Sequence, residues 1–374
     1  MGWFGWGAGR GQARPALARS ALWPAGAAPV GDGPQGYEAQ VREAYCRNAV
    51  AQRAVRLVAD AAGSAPLAAS DPALARLASA RGAGGSALET AAAQLLLHGN
   101  AWLAVLRDEA GDGVAGLMPL RPERVRVELD ADGWPAAYRY QVGAGVQRYP
   151  AGGETPAVIH LRGFSPVDDH YGAGCLGAAA GAVAVHNAAA RWHKALLDNA
   201  ARPSGALVYD PGDGSVMSPD QFRRLKEEME GGFQGAANAG RPMLLEGGLK
   251  WQAMSLSPAE MDFLGTKAAA AREIALAFGV PPMLLGLPGD STHANYREAN
   301  RALWRLTVLP LADAVLGGIA EALEHWFPDA RLAVEQDRVP ALAEDRERLW
   351  RAVGAADWLS AEEKRALLRP GDGA

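Results

Sequence analysis

Ser257-Pro258-Ala259-Glu260 opens, and Phe278-Gly279-Val280-Pro281-Pro282 closes, the stretch on which the fold turns. Serine at a cap, proline at the first helical position and glutamate at the third form a helix-start signature, and glycine followed by two prolines is a stop. Between them Met261, Leu264, Ala268, Ala271, Ile274 and Phe278 recur at helical spacing and mark one buried stripe. A second long helix is predicted from Gly172 to about Asn199, with Leu176, Val183, Ala190 and Leu197 seven residues apart. The intervening segment is short and changes period. It reads as a strand at Gly205–Tyr209, a helix opened by Ser218-Pro219-Asp220-Gln221, and strands at Pro242–Glu246 and Lys250–Ser255. Two long helices therefore bracket a small βαββ module.

Upstream the chain reads as α+β. Tyr37 to about Ala61 is a helix with Val41, Ala44, Asn48, Val55 and Val58 on one face, and a second helix runs from the capping box Ser86-Ala87-Leu88-Glu89 to Gly99. Strands follow at Ala101–Asp108, Val114–Leu120, Arg124–Leu129, Ala137–Val142 and Val158–Phe164. Downstream a loop to about Ala294 leads into a helix from Asn295 toward Trp326, interrupted at Pro310. The tail holds a strand near Arg331–Glu335 and helices at 341–353 and 361–368, the last capped by Ser360 with Glu363. Residues 1–36, rich in Gly, Ala, Pro and Arg without sustained periodicity, read as a flexible arm.

The 374 residues carry 37 Lys+Arg against 42 Asp+Glu, a formal net charge of −5. That balance argues against a protein that clamps nucleic acid over its whole surface. The 45 glycines and 24 prolines have no Gly-X-Y period, which excludes collagen, and 49 % apolar residues supply a core. Two cysteines, Cys46 and Cys175, make no disulfide framework. The longest uncharged run, Tyr171 to Ala190, is mostly Ala and Gly and gains little in a bilayer, so no membrane span is expected. The opening MGWFGWGAGR lacks a basic stretch ahead of an apolar one, as a signal peptide would have, and Trp6 stands where myristoylation needs Ser or Thr. Eleven tryptophans, Trp251, Trp304 and Trp326 among them, predict extensive burial and anchors for subunit contacts.

Motifs for catalysis are sparse. Gly31-Asp32-Gly33-Pro34-Gln35-Gly36 matches G-x-G-x-x-G, but no strand precedes it and Pro34 breaks it. Gly172-Ala173-Gly174-Cys175-Leu176-Gly177 matches again and opens a helix, yet about ten residues part it from the preceding strand. Small residues packing a helix start against a neighbour explain it better than a phosphate site does. There is no Walker A sequence, and Gly163-Phe164-Ser165-Pro166-Val167 lacks the last glycine of a nucleophile elbow. His186 and His193 share a helix face without a third ligand, Asp168-Asp169-His170 reads as an exposed turn, and Cys175 as a small buried thiol. No cofactor or metal is expected.

Several segments in order resemble the portal proteins of tailed bacteriophages, siphophage type. These are Leu97-His98-Gly99-Asn100-Ala101-Trp102, Val158-Ile159-His160-Leu161-Arg162-Gly163-Phe164, Gly172–Gly177, and Phe278-Gly279-Val280-Pro281-Pro282-Met283-Leu284-Leu285-Gly286 with Asn295-Tyr296 and Pro310. Trp358-Leu359-Ser360-Ala361-Glu362-Glu363-Lys364-Arg365 resembles the closing helix start. The alanine-rich composition is similar to portals of alphaproteobacterial gene transfer agents.

The resemblance implies a portal-type α+β fold. Residues 37–165 would be the wing, 172–200 and 258–279 the stem helices, and 204–257 the clip. Residues 281–294 would be the tunnel loop, 295–327 its supporting helix, and 328–374 a C-terminal wing with a short crown. It implies a dodecameric ring at one capsid vertex of a virion or phage-like particle, assembled in the bacterial cytoplasm and not an enzyme. The ring would pass double-stranded DNA without reading its sequence and meet the major capsid protein, the terminase large subunit and the head–tail adaptor.

On that reading Met283, Leu284, Leu285, Gly286, Leu287, Pro288, Gly289, Asp290, Ser291, Thr292 and His293 form a nearly uncharged collar around the duplex. Dense phosphate contacts would turn each translocation step into a salt-dependent trap. Arg297, Arg301 and Arg305 recur every four residues and form a stripe, read either as ion pairs on a solvated face or as contacts to DNA or a neighbouring subunit. Arg223, Arg224, Lys226, Glu227, Glu228 and Glu230 give the clip helix a mixed-charge face for motor or adaptor docking, or simply a solvated one. The alternatives are a nucleotide-binding α/β enzyme using Gly172–Gly177, or an adaptor or scaffold without a channel.

Overall fold

A computed structural model of the chain describes residues 36–82, 84–198, 205–210, 212, 216–233, 249–253, 263–287 and 293–368. The arm up to residue 35, the strand at Pro242–Glu246 and the helix start at Ser257–Glu260 lie outside the described residues. The chain forms two compact units, one of Met1–Gly181 with Glu273–Ala374 and one of Ala182–Arg272.

In the first unit the single helix expected over Tyr37–Ala61 is two. α1 (Tyr37–Val41) runs into a π turn, and α2 (Ala49–Gly63) starts afresh. The cause is Asn48: it is extended, and its Oδ1 accepts from the N–H groups of Val50 and Ala51 at 3.1 and 3.0 Å. Asn48 is thus buried as a cap rather than as part of an apolar stripe. α2 buries Ala51, Ala54, Val55, Val58, Ala59 and Ala62, small side chains that bring it close to the later helix α4. A short strand β1 (Leu67–Ala69) follows, then α3 (Pro72–Ser79), started by the Asp71 carboxylate accepting from Ala73 N–H at 2.7 Å, with Pro72 in the first turn. Neither was expected from the periodicity. A two-residue ladder, β2 (Arg81–Gly82) with β3 (Gly85–Ser86), leads to α4 (Ala87–His98), where Ser86 Oγ accepts from Glu89 N–H at 3.1 Å as the capping box predicts.

Two three-stranded antiparallel sheets come next. β4 (Asn100–Arg107) lies between β5 (Val114–Leu120) and β9 (Val158–Arg162), and β7 (Pro135–Val142) between β6 (Val125–Leu129) and the unexpected β8 (Gly145–Pro150). Trp102, Ala104, Leu120, Val125 and Val158 form a core cluster covered by Tyr138, Tyr140, Tyr149 and Tyr171. β4 is buried for its first six residues, with α4 also packed on it.

Helix α5 (Cys175–Asp198) begins three residues later than expected. Within the second unit β10 (Gly205–Tyr209) pairs antiparallel with β11 (Leu249–Ala253), and α6 (Pro219–Phe233) lies between them in sequence. α6 has the predicted reciprocal cap: Gln221 Oε1 accepts from Ser218 N–H at 2.9 Å and Ser218 Oγ from Gln221 N–H at 3.3 Å. α7 (Phe263–Ala277) keeps the expected stripe at Ala271 and Ile274, continued by Phe278, whereas Leu264 is 72 % exposed.

The first unit is completed by α8 (His293–Leu303), a π turn at Trp304–Val308 and α9 (Leu309–Ala322). The helix is not interrupted at Pro310. The wider turn lies before it and leaves Pro310 in the first turn of α9, where its missing N–H breaks no bond and the clash with the preceding turn is relieved. Asn295–Ala322 is long and apolar enough to cross a membrane. Here Val308, Leu309, Ala312, Val315, Leu316 and Ile319 are buried in the core of the unit. β12 (Leu332–Val334) pairs with β1, joining the N-terminal and C-terminal parts of the first unit. Helices α10 (Ala343–Ala355) and α11 (Ala361–Leu368) follow, the latter capped by Ser360 with Glu363 at 3.2 and 2.8 Å. The expected burial of tryptophans holds for Trp102, while Trp134, Trp350 and Trp358 are exposed.

Candidate channel and docking surfaces

The glycines before α5 form a backbone knot. Gly99 ends α4 in the left-handed conformation (φ 81°), and its carbonyl accepts from Gly163 N–H at 2.8 Å. A Cβ on Gly172 would lie 2.1 Å from Gly99 O, one on Gly174 2.7 Å from Gly99 N, and one on Gly177 would meet nothing within 4 Å. The first two glycines let three backbone segments touch, which leaves no space there for a phosphate. Buried Asn100 ties the knot: Oδ1 accepts from Gly172 N–H at 2.8 Å, and Nδ2 donates to Gly172 O at 3.0 Å. His160 Nε2 lies 3.0 Å from Asn100 Oδ1, and His98 Nδ1 lies 3.2 Å from Asn100 Nδ2. The His160 ring stacks on Trp102 at 4.5 Å.

Burial and the nearby guanidinium of Arg126 lower the His98 pKa to about 4. Burial, Arg162, His98 and His170 lower that of His160 to about 3. Both histidines are thus held neutral, and between those values and the ordinary 6.5 the unfolded chain binds protons that the folded chain refuses. Their contribution to stability is complete above pH 6.5 and is lost as pH falls toward 4 and below. We expect the melting temperature of the subunit to fall by about 5 °C or more between pH 7 and 4.5. A flat or rising profile in calorimetry would contradict this account.

The loop after the second long helix starts from a tight cap. Gly279 (φ 65°) and Val280 close α7, with Val280 N–H donating to Ala275 O at 2.9 Å and Gly279 N–H to Leu276 O at 3.0 Å. Thr307, in the π turn, donates its hydroxyl to Gly279 O at 2.6 Å. Pro282–Leu285 then forms a 3₁₀ turn ended by Gly286 (φ 72°), packed toward α8 and α2. Met283, Leu284, Leu285 and Leu287 are half-buried, so this part differs from the open loop expected. Pro288, Gly289, Asp290, Ser291 and Thr292 lie outside the described residues, and His293 opens α8.

The arginine stripe faces the acidic first turn of α10. Arg297 meets Glu344 at 2.7 Å. Arg301 meets Glu344 at 2.6 Å, Glu298 at 3.0 Å and Asp345 at 3.5 Å, and Arg305 meets Asp345 at 3.9 Å. The Arg301 side chain is only 9 % exposed, so its guanidinium is held inside the subunit by these acids. The four-residue spacing was legible, but Glu344 and Asp345, which receive it along with the neighbouring Glu298, lie forty or more residues away. Arg297 and Arg305 remain largely exposed.

On α6, Arg223 pairs with Asp220 at 3.0 Å, and Arg224, Lys226 and Glu227 are exposed. The side chains of Glu228 and Glu230 lie outside the description. The charge reading missed Phe222, 63 % exposed beside these groups. Its i, i+3 spacing to Leu225 was the available signal.

Other candidates resolve into structure. The Asp168 carboxylate accepts from the N–H groups of His170 and Tyr171, each at 2.8 Å, and shapes the turn. Burial raises the Cys175 thiol, and burial lowers His186. Among the described residues no group of three or more metal-ligating side chains comes together.

Polar groups in the first unit thus chiefly fix backbone and helices in place, which is the pattern of a structural subunit. The phage portal protein family matches residues 49–368, and the chain belongs to that family. A protein of Rickettsia felis is 41 % identical over 74 % of this chain and 71 % of its own length. The probable portal protein of Streptomyces phage phiC31 is 31 % identical over 61 % of this chain and half of its own. A chain in the virion of a native gene transfer agent particle is 48 % identical, with a TM-score of 0.70 over 90 % of this chain and 94 % of that one. The same figures hold for a chain in the neck of such a particle, computed with C12 symmetry. The fold is accordingly the portal type, and the function is that of a portal protein.

Proposed function

We propose that twelve copies of this chain form a ring at one vertex of a particle of the gene transfer agent type, through which double-stranded DNA passes in packaging and ejection. The observation that carries this reading is the 48 % identical chain in a particle neck with C12 symmetry, matched over nearly its whole length. In this reading α5 and α7 are the stem, the segment between them is the clip, and residues 37–165 with the C-terminal helices are the wing. Residues 281–294 are the tunnel loop, a nearly uncharged stretch along which the duplex slides. The mixed charges of α6 with Phe222 receive the terminase large subunit and later the head–tail adaptor, and the wing borders the major capsid protein. Exposed Leu264, Leu306 and Trp358 supply apolar surface for neighbouring subunits. Negative-stain images of the purified chain should show rings with a central hole, with a mass near twelve subunits in native mass spectrometry. A chain that stays monomeric at micromolar concentration and in the particle-producing cell would overturn the proposal.

A further inference from the structure

A cleft of about 580 Å³ opens in the first unit between β9 and the C-terminal end of α9. Its walls include Pro156, Val158, Leu161 and Ala322. Gly318 lets the strand approach the helix, since a Cβ there would lie 2.4 Å from Leu161 Cδ2. The rim is acidic, with Glu154, Glu321 and Glu324. Glu154 meets only the half-exposed ring of His325, at 4.0 Å, and Glu321 and Glu324 have no ion-pair partner among the described residues. Of the nearby cations, Arg107 is engaged over the Trp326 ring at 4.2 Å and on Thr155 O at 3.3 Å, and Arg162, next to Leu161, donates to Asp169 O. Carboxylates above an apolar floor fit a segment whose arginine stems lie on the floor while their guanidinium groups meet the rim.

The chain carries such a segment. Residues 1–35 contain Arg10, Arg14 and Arg19 with Asp32 as the sole acid, and Leu17, Leu22 and Trp23 lie among or just after the arginines. The geometry points to residues 10–23 of the same chain as the occupant of this cleft. The root of the segment is close. Tyr37 packs on His98 at 4.7 Å, His98 on Trp102 at 5.8 Å, and Trp102 on His160 at 4.5 Å, a residue of the strand that walls the cleft. The stretch from Arg19 to Tyr37 spans roughly 60 Å fully extended and about 23 Å as a flexible coil. Reach is therefore ample. Each exposed ion pair is weak, ~0.2–1 kcal/mol. Tethering nonetheless gives the segment an effective concentration on the order of millimolar, so weak contacts suffice to fill the cleft.

Thermolysin tests this, because it cuts before Leu17 and Leu22 and ignores arginine. In the full chain, initial cleavage there should run at least fivefold slower than in Glu321→Arg/Glu324→Arg or in Arg14→Glu/Arg19→Glu. The four substitutions together should restore protection. All four positions concerned are exposed or in the arm, so melting temperatures should match the parent and exclude unfolding as the cause. Equal cleavage of all four proteins overturns the proposal. So does protection that grows with protein concentration, which would assign the cleft to a second copy, or protection that appears only after another basic protein is added. The outcome is independent of ring formation, which imaging of the same samples reports separately.

Discussion

Gly172→Ala is expected to abolish the folded subunit, while Gly177→Ala, in the same G-x-G-x-x-G stretch, is expected to leave it intact or slightly stabilised. The new Cβ at position 172 would stand 2.1 Å from Gly99 O, 2.6 Å from Gly163 N and 2.7 Å from Gly163 O. All three atoms are backbone, so no side chain can swing away. Relief requires parting the three segments, which breaks the Gly163–Gly99 bond and both bonds from Asn100 to Gly172. Buried donors and acceptors left unpaired cost about 1–3 kcal/mol each, and together with the overpacking this exceeds ~4 kcal/mol. A domain whose whole stability is about 5–15 kcal/mol does not tolerate that loss well. At Gly177 the Cβ meets nothing, and alanine in a helix interior gains roughly 0.5–1 kcal/mol over glycine. Circular dichroism and melting of the two variants separate the cases. A Gly172→Ala protein melting within 2–3 °C of the parent would show that the knot is not what holds the start of α5.

The contrast within one motif says what a sequence can disclose. Caps were legible because their chemistry is local: Ser86 with Glu89, Ser218 with Gln221 and Ser360 with Glu363 all close as their spacing requires. Asn48 and Asp71-Pro72 carried equally local signals, but an apolar periodicity running through Asn48 masked the first. The pairing of β1 with β12 joins residues some 265 positions apart, and nothing in three-residue strands announces a partner. Of the candidate surfaces, the residue types of the arginine stripe and the clip helix could be read, but which groups face solvent could not. Burial of Arg301 is set by Glu344 and Asp345, more than forty residues on. The glycines before α5 were recognisable as close-packing residues, although the backbone they admit, Gly99 and Gly163, appears only when three segments meet.

Arg301→Glu is expected to destabilise the subunit by about 3–5 kcal/mol, the range for breaking a buried charge pair. Arg297→Ala and Arg305→Ala should each cost under ~1 kcal/mol. The three arginines share one helix face and one set of acids, but differ in solvent access: the Arg301 side chain is 9 % exposed, against 65 % and 64 % for Arg297 and Arg305. Glutamate at 301 would set a fourth carboxylate beside Glu298, Glu344 and Asp345, at a position itself only 9 % exposed. The contact between α8 and the start of α10 would then open, and with it the support of the Pro282–Leu285 turn packed on α8. A packaging defect in Arg301→Glu would therefore report a damaged subunit rather than a lost DNA contact. The informative variant is Arg297→Ala/Arg305→Ala, which keeps Arg301 and its acids. If that pair forms normal rings and packages less DNA, the two exposed arginines act on the duplex or on a neighbouring subunit. If it packages normally, the stripe serves only to hold α8 against α10. An Arg301→Glu subunit that melts with the parent would remove the structural role on which this distinction rests.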